Sequence, residues 1–185
     1  MKKIECIIQN KKLGELEEEL RLLGIGGMMV TEIKGIVEQI SKMKDRSPID
    51  PDWLALQLVE AMPGNAILVD EGLTSSRQVT ALRPHRDRYG YHALASGGIG
   101  WGLPASVGVS LANPDRPVVC FSGDGSSMYS IQALWTAAHH DLPIVFVILA
   151  NREYRVLKHN LDTYRQRFGA LSNQGYPHMD LGGPQ

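Results

Sequence analysis

Two segments of the sequence decide the fold: Pro117-Val-Val-Cys-Phe-Ser-Gly-Asp-Gly-Ser126 and Leu142-Pro-Ile-Val-Phe-Val-Ile-Leu-Ala-Asn151. Each contains a short apolar run rich in β-branched residues, which predicts a strand buried on both faces. Because Ile144–Leu149 is the most apolar run of the chain, it is predicted to be a central parallel strand. The segment between the two runs predicts a helix, so together they form a right-handed βαβ unit.

The connecting helix is predicted over Tyr129–His139, where apolar residues fall at helical spacing. These residues are Ile131, Leu134, Trp135 and Ala138. Ser126 and Ser127 stand where an N-cap belongs, and Pro143 favours an end to the helix before it. The glycines at 123 and 125 predict a sharp turn and close backbone approach to a ligand.

Asp124 and Asn151 follow these two predicted strands directly. Open α/β sheets bind ligands at the carboxyl ends of their strands, so we expect the two side chains to meet there. Carboxylate and amide oxygens suit Mg²⁺, which takes substrate phosphates and water as its other ligands. The pattern therefore favours a Mg²⁺-bound diphosphate over the alternative of a capping aspartate and a strand-end asparagine without a metal.

Three motifs carry a family resemblance: Gly123-Asp124-Gly125 with Asn151, the run Gly97-Gly-Ile-Gly-Trp-Gly-Leu-Pro-Ala105, and Tyr129-Ser-Ile-Gln-Ala-Leu-Trp-Thr-Ala-Ala138. From about residue 51 to 180 the chain resembles the diphosphate-binding, C-terminal domain of thiamine-diphosphate-dependent enzymes of the benzoylformate decarboxylase and acetolactate synthase type. The resemblance implies an α/β fold, with a parallel sheet sandwiched by helices over residues 52–185 and truncated at the C-terminus.

The resemblance also implies site residues. The metal ligands would be the side chains of Asp124 and Asn151 and the carbonyl of Glu153. Cofactor contacts would come from Leu73, Thr74, Gly97, Gly98, Ile99, Gly123, Gly125, Ser126 and Tyr129, with Ile99 holding the cofactor bent. One departure is Ala150, where the family usually has an asparagine that is not itself a ligand.

By the same resemblance, the function is binding of thiamine diphosphate through Mg²⁺ in a 2-oxo-acid decarboxylase, lyase or carboligase. The catalytic residue is unknown, because the activating glutamate is expected on a pyrimidine-binding domain, usually of a partner subunit in a homo-oligomer. The chain alone is therefore predicted to be inactive. The alternative is a non-catalytic regulatory or oligomerising module, or a fusion fragment.

Residues 1–40 form a separate predicted unit of strand, helix and strand. They resemble the start of the P-II nitrogen-regulatory proteins, which implies a ferredoxin-like βαβ fragment, although Glu38 stands where that family usually has arginine. The polar segment 41–51, with two prolines, is predicted to be a linker.

The composition describes an ordinary globular chain, with 43% hydrophobic and 21% charged residues. A net charge of −1 does not indicate the excess of positive charge that binding to nucleic acid or a membrane surface would favour. No stretch reaches the roughly 18 apolar residues of a spanning helix, and the N-terminus has no signal-peptide core. We expect a cytoplasmic protein in which Cys6 and Cys120 are buried thiols.

Two further segments leave alternatives open. The hydroxyls of Thr74, Ser75 and Ser76 precede a predicted helix, so they either cap that helix or contact a phosphate. Residues 154–168 predict a charged helix that either borders the cofactor site or exposes a basic face.

Overall fold

The computed structural model describes residues 33–83, 87–169 and 175–182, together with Leu22. The elements in these ranges are α1 (Ile33–Ser41), α2 (Pro51–Ala61), β1 (Ile67–Glu71), α3 (Val79–Leu82), β2 (Tyr91–Ala93), α4 (Gly102–Ala112), β3 (Val118–Gly123), α5 (Asp124–Ser127), α6 (Ala133–His139), β4 (Ile144–Leu149) and α7 (Arg155–Phe168). None of the helices in these ranges is long and apolar enough to cross a membrane.

The four strands form one parallel sheet in the order β2-β1-β3-β4. Ile67 of β1 pairs with Val118 of β3, and at the other end of β3 Gly123 pairs with Leu149 of β4. Parallel strands need crossover connections, and helices supply them on both faces of the sheet. The predicted α/β fold, a parallel sheet sandwiched by helices, is confirmed.

Two hydrophobic clusters lie on opposite faces of the sheet, because successive strand residues point to opposite sides. Leu68 and Phe121 pack with the residues of α1, α2 and α3. Ile67, Val69 and Cys120 pack with α4 and α6. Fully burying a side chain such as Phe121 contributes about 1.5–3 kcal/mol to stability, so these strand residues form the core of the fold.

The second predicted strand is confirmed as a strand, but its predicted central position is wrong. Among the described residues β4 pairs only with β3 and forms an edge of the sheet. Val145 and Ile148 are 58% and 39% exposed. Hydrophobicity predicted the strand, whereas its place in the sheet depends on neighbours that local sequence does not specify.

The helix predicted over Tyr129–His139 is shorter than expected, because α6 begins at Ala133 after a series of turns. Its buried face is formed by Ala133 and Ala137, and Trp135 is 67% exposed. Of the predicted apolar positions, Leu134 packs against the same cluster as the two alanines, whereas Ile131 and Trp135 are exposed.

The predicted cap at Ser126 and Ser127 is wrong, and the capping alternative for Thr74, Ser75 and Ser76 is not observed. Ser126 and Ser127 lie inside α5, whose N-cap is Gly123, and the Ser127 hydroxyl donates to the carbonyl of Asp124. The hydroxyls before α3 do not cap it either, since the N-cap there is Gln78 and makes no side-chain bond.

Residues 33–41 form α1 and pack against the segment that begins with α2. Ile36, Val37 and Ile40 join the same hydrophobic cluster as Leu56 of α2. The predicted linker begins at the end of α1 and continues as turns to Asp50, whose carboxylate caps α2 at Asp52. The P-II-like strands and helix fall almost entirely in residues 1–32, which lie outside the described residues except for Leu22, so the proposed domain boundary stays a prediction.

Cys120 lies in the cluster between the sheet and α4, and it is fully buried. Burial raises the pKa of its thiol to about 11, because an apolar environment disfavours the thiolate. The expected buried thiol is therefore observed at Cys120, whereas Cys6 lies outside the described residues.

Residues 175–182 run back across the start of α7. The N–H of Tyr154 donates to the carbonyl of Met179 at 2.8 Å, and the N–H of Leu181 donates to the carbonyl of Arg152 at 2.7 Å. The ammonium of Lys158 contacts carboxylate oxygens of both Glu153 and Asp180 at 2.6 Å. This set of contacts, called the C-terminal tether below, joins the turn after β4 to residues 175–182.

Hydrogen bonds from Lys158 and Arg155 hold the pKa of Glu153 below its usual value of 4.5. A depressed pKa in the folded state means that the stabilisation is present above the unfolded-state value and is lost as pH falls through the folded-state value. We therefore predict that Glu153→Gln lowers the free energy of unfolding at pH 7. The difference from the unmodified protein should shrink towards zero below about pH 4.5.

Urea unfolding of both proteins between pH 7 and pH 3 measures this difference. The matched control is Glu60→Gln, because Glu60 is exposed and bonds only to the Gln57 side chain among the described contacts. A Glu153→Gln deficit that persists unchanged at pH 3 would show that the ion pairs are not its cause.

Candidate functional site

A shallow cleft lies at the carboxyl edge of the sheet. Its walls come from the turn after β1, the glycine run before α4, the start of α5 and the turn after β4. The lining residues are Gly72, Leu73, Thr74, Ser75, Ile99, Gly123, Asp124, Gly125, Ser126, Asn151, Glu153, Tyr154, Arg155 and Val156. The cleft therefore lies where ligands bind in open α/β sheets.

The carboxylate of Asp124 joins the ends of two strands. Oδ1 accepts the N–H of Gly125 at 3.0 Å, and Oδ2 accepts the N–H of Arg152 at 2.8 Å. Arg152 has a φ of +58°, a left-handed conformation that is uncommon for a residue with a side chain. The turn after β4 is thus shaped so that its backbone meets the aspartate at the end of β3.

Asn151 fixes the same turn from within. Its Oδ1 accepts the N–H of Glu153 at 3.0 Å, as in an Asx-turn. Asp124, Asn151 and Glu153 all line the cleft, and among them they contain a carboxylate, a side-chain amide oxygen and a backbone carbonyl. Oxygen donors of this kind suit a hard cation that keeps several ligands from phosphate and water.

A cluster of three or more His, Cys, Asp or Glu side chains suited to a metal does not occur in the part of the chain that the structure describes. A metal at the cleft would therefore depend on the mixed set of Asp124, Asn151 and a backbone carbonyl. Such a set supplies only one formal negative charge, so it fits a cation that arrives with an anionic ligand.

Two glycines are required by close packing beside the cleft. A Cβ on Gly125 would lie 2.6 Å from Cε1 of Tyr154. A Cβ on Gly100 would lie 2.5 Å from the Cβ of Tyr129, and the φ of Gly100 is +88°. Larger residues at these positions would displace the two tyrosines, so the glycines keep the cleft walls together.

Tyr154 and Tyr129 are neighbours at this wall. Burial, reinforced by the nearby Tyr129 and Asp124, raises the pKa of the Tyr154 phenol above its usual value of 10.0. Both effects disfavour a negative charge on Tyr154. The phenol therefore stays neutral and acts as a hydrogen-bonding group at neutral pH.

The opposite wall is a tight turn. The N–H of Ser75 donates to the carbonyl of Gly72, and the N–H of Gly72 donates to the carboxylate of Asp70, both at 3.0 Å. Leu73 has a φ of +50° and is 40% exposed. Ile99 also faces the cleft and is 38% exposed, so two apolar side chains line a polar site.

The structure brings most of the predicted site residues together in this cleft. Of the predicted cofactor contacts, only Gly97, Gly98 and Tyr129 do not line it. Tyr129 touches the site through Tyr154, and the two glycines precede Ile99 directly. The assignment of these residues to a metal or a cofactor stays a prediction.

Sequence reasoning did not name Gly72, Tyr154, Arg155 or Val156 individually as residues of the cleft wall, although one alternative for residues 154–168 was that they border the site. The last three belong to the turn after β4 and the first residues of α7. Their position in the sequence could have indicated this, because residues that follow a parallel strand lie at the same edge of the sheet as Asn151. Of the two alternatives for this helix, the first turn lines the cleft, while α7 contains no buried residue.

Comparison with known proteins identifies the family of the domain that contains this cleft. Residues 73–181 match the model of the thiamine pyrophosphate enzyme, C-terminal TPP binding domain. The chain is 38% identical over 116 residues to benzoylformate decarboxylase of Pseudomonas aeruginosa, covering 62% of this chain and 22% of that protein. It is 32% identical over 165 residues to the acetolactate synthase large subunit of Haemophilus influenzae, covering 82% of this chain and 28% of that protein.

A solved structure shows the same architecture. The thiamine diphosphate-dependent 4-hydroxybenzoylformate decarboxylase of Rhodococcus jostii superposes with a TM-score of 0.65 at 35% identity, covering 74% of this chain and 25% of that one. The chain thus spans about a quarter of the length of these relatives. Thiamine diphosphate is the cofactor of the matched family, as predicted, and the chain belongs to the thiamine pyrophosphate enzymes through their C-terminal cofactor-binding domain.

Proposed function

We propose that this chain binds the diphosphate of thiamine diphosphate through Mg²⁺, as part of a 2-oxo-acid decarboxylase or carboligase of the benzoylformate decarboxylase type. The observation that carries the proposal is the bond between Asp124 and the backbone of Arg152. This bond joins the end of β3 to the turn after β4, and Asp124, Asn151 and Glu153 all line the cleft.

The proposed metal ligands are Asp124, Asn151 and the carbonyl of Glu153, with the diphosphate and water completing the shell. Thr74 and Ser126 line the same cleft, and their hydroxyls are suitable donors to phosphate oxygens. Ile99 supplies an apolar surface at the far side, against which the organic part of the cofactor would rest. The division into polar and apolar parts matches a ligand with a charged tail and aromatic rings.

When bound, the cofactor would supply a nucleophilic ring carbon that bonds to the carbonyl carbon of a 2-oxo acid, and a cationic ring that delocalises the electron pair left when CO₂ departs. The chain contributes binding, orientation and electrostatics, as proteins do in cofactor enzymes. In the C-terminal tether, Lys158 contacts both Glu153 and Asp180. These contacts stabilise the turn that carries the carbonyl proposed as a ligand.

The substrate class and the assembly belong to the same proposal. The benzoylformate decarboxylases and the acetolactate synthase are much longer than this chain. We expect catalysis to need a pyrimidine-binding domain with its activating glutamate, most simply in a homo-oligomer.

We predict that thiamine diphosphate with Mg²⁺ raises the melting temperature of the 185-residue chain. A ligand that binds only the folded state stabilises it by about 2.7 kcal/mol at a hundred times its dissociation constant. Neither Mg²⁺ alone nor the cofactor with a chelator should give the full shift. In Asp124→Ala the shift should disappear, because that change removes a proposed metal ligand and the bond to Arg152. Thermal unfolding followed by circular dichroism measures all four conditions.

The matched control is Asp115→Asn, since Asp115 is exposed and lies outside the cleft. Its shift should equal that of the unmodified chain. A metal-independent shift, or one retained by Asp124→Ala, would contradict the proposed metal site.

We also predict that the purified 185-residue chain, supplied with cofactor and Mg²⁺, does not decarboxylate benzoylformate or pyruvate above the rate of free cofactor. The reason is the expected requirement for an activating glutamate on a pyrimidine-binding domain. Release of CO₂ in a coupled assay is the measurement. Turnover by the chain alone, removed by Asp124→Ala, would refute the requirement for a second domain.

A further inference from the structure

Glu71 is a buried carboxylate that the proposed chemistry does not use. It is the last residue of β1 and is 1% exposed. Its Oε1 accepts the N–H of Gly100 at 2.6 Å and of Trp101 at 3.1 Å, and its Oε2 accepts the N–H of Gly102 at 2.6 Å. Burying a charge is costly unless it is hydrogen-bonded, and here three backbone donors offset that cost.

These three donors lie at the beginning of α4. The first N–H groups of a helix have no partner within it, and the N-cap residue Trp101 makes no side-chain bond. Glu71 supplies the acceptors from another element, with a negative charge where the helix dipole favours one. The fit is close, since a Cβ on Gly102 would lie 2.7 Å from Oε2.

The position of Glu71 in the chain connects two walls of the cleft. Gly72 and Leu73 follow it directly and form one wall, while Ile99 immediately precedes the residues that its carboxylate binds. The hydroxyl of Ser130 donates to the carbonyl of Gly100 at 2.7 Å. Gly100 is therefore held at its N–H by Glu71 and at its carbonyl by Ser130, which fixes the residue next to Ile99.

Resting on the proposed function, we propose that Glu71 is a positioning residue, which fixes Ile99 against the rings of thiamine diphosphate without contributing to recognition of the diphosphate. The metal ligands lie on the turns after β3 and β4, and neither Asp124 nor Asn151 bonds to Glu71 or to residues 100–102 in the described contacts. Loss of Glu71 should therefore weaken binding of the whole cofactor more than binding of its charged tail.

The test compares two ligands by isothermal titration calorimetry on the 185-residue chain: thiamine diphosphate with Mg²⁺, and inorganic pyrophosphate with Mg²⁺. Glu71→Gln keeps the shape of the side chain but replaces one acceptor with a donor that faces backbone N–H groups. We expect its dissociation constant for thiamine diphosphate to rise by about tenfold, which is the usual scale for losing a hydrogen bond to a charged group. The constant for pyrophosphate should change by less than about twofold.

Two further variants separate positioning from stability. Ser106→Ala removes the bond from the Ser106 hydroxyl to the carbonyl of Gly102, so it weakens the same helix without releasing Gly100. It should leave the ratio of the two dissociation constants unchanged. Ser130→Ala releases Gly100 from its other side and should reproduce the selective loss, which keeps the proposal testable if Glu71→Gln does not fold.

Each outcome decides the question. Selective loss of thiamine diphosphate binding in Glu71→Gln or Ser130→Ala supports the positioning role. Equal weakening of both ligands, or no weakening of either, overturns it while leaving the diphosphate site intact. If the unmodified chain binds neither ligand, the proposed function itself fails, and the role of Glu71 fails with it.

Discussion

The hydrogen bond from the N–H of Arg152 to the carboxylate of Asp124 is the contact on which the site depends. It crosses from the turn after β4 to the end of β3, so it converts two neighbouring strands into one binding edge. The parallel register brings Gly123 opposite Leu149, so Asp124 and Asn151, which follow the two strands, both line the cleft. Sheet pairing thus determines which residues lie next to each other at this edge. The hydrogen bond of Asp124 then holds the turn after β4 against the end of β3.

A second carboxylate plays the corresponding part on the other side of the cleft. Glu71 draws the start of α4 towards the end of β1 through three backbone donors. Asp124 organises the polar wall and Glu71 the wall that carries Ile99. Both act on backbone N–H groups, which have fixed directions and lose no side-chain freedom when they bind.

The sequence was sufficient for the features that depend on local pattern. Apolar runs predicted β3 and β4, and the residues after these two strands predicted the meeting of Asp124 with the Asn151 turn. It was not sufficient for features that depend on distant contacts. The edge position of β4, the buried alanine face of α6 and the C-terminal tether each require a partner many residues away. Glu71 is the clearest case, because its partners lie 29 to 31 positions further along the chain.

The central claim is that Asp124, Asn151 and the carbonyl of Glu153 hold the metal that binds the cofactor's diphosphate. A crystal structure of the 185-residue chain with thiamine diphosphate and Mn²⁺ in place of Mg²⁺ tests this most directly, because Mn²⁺ gives an anomalous signal. We predict one anomalous peak in contact with all three oxygens and with the diphosphate. A diphosphate bound elsewhere, or a metal that contacts neither Asp124 nor Asn151, would contradict the claim.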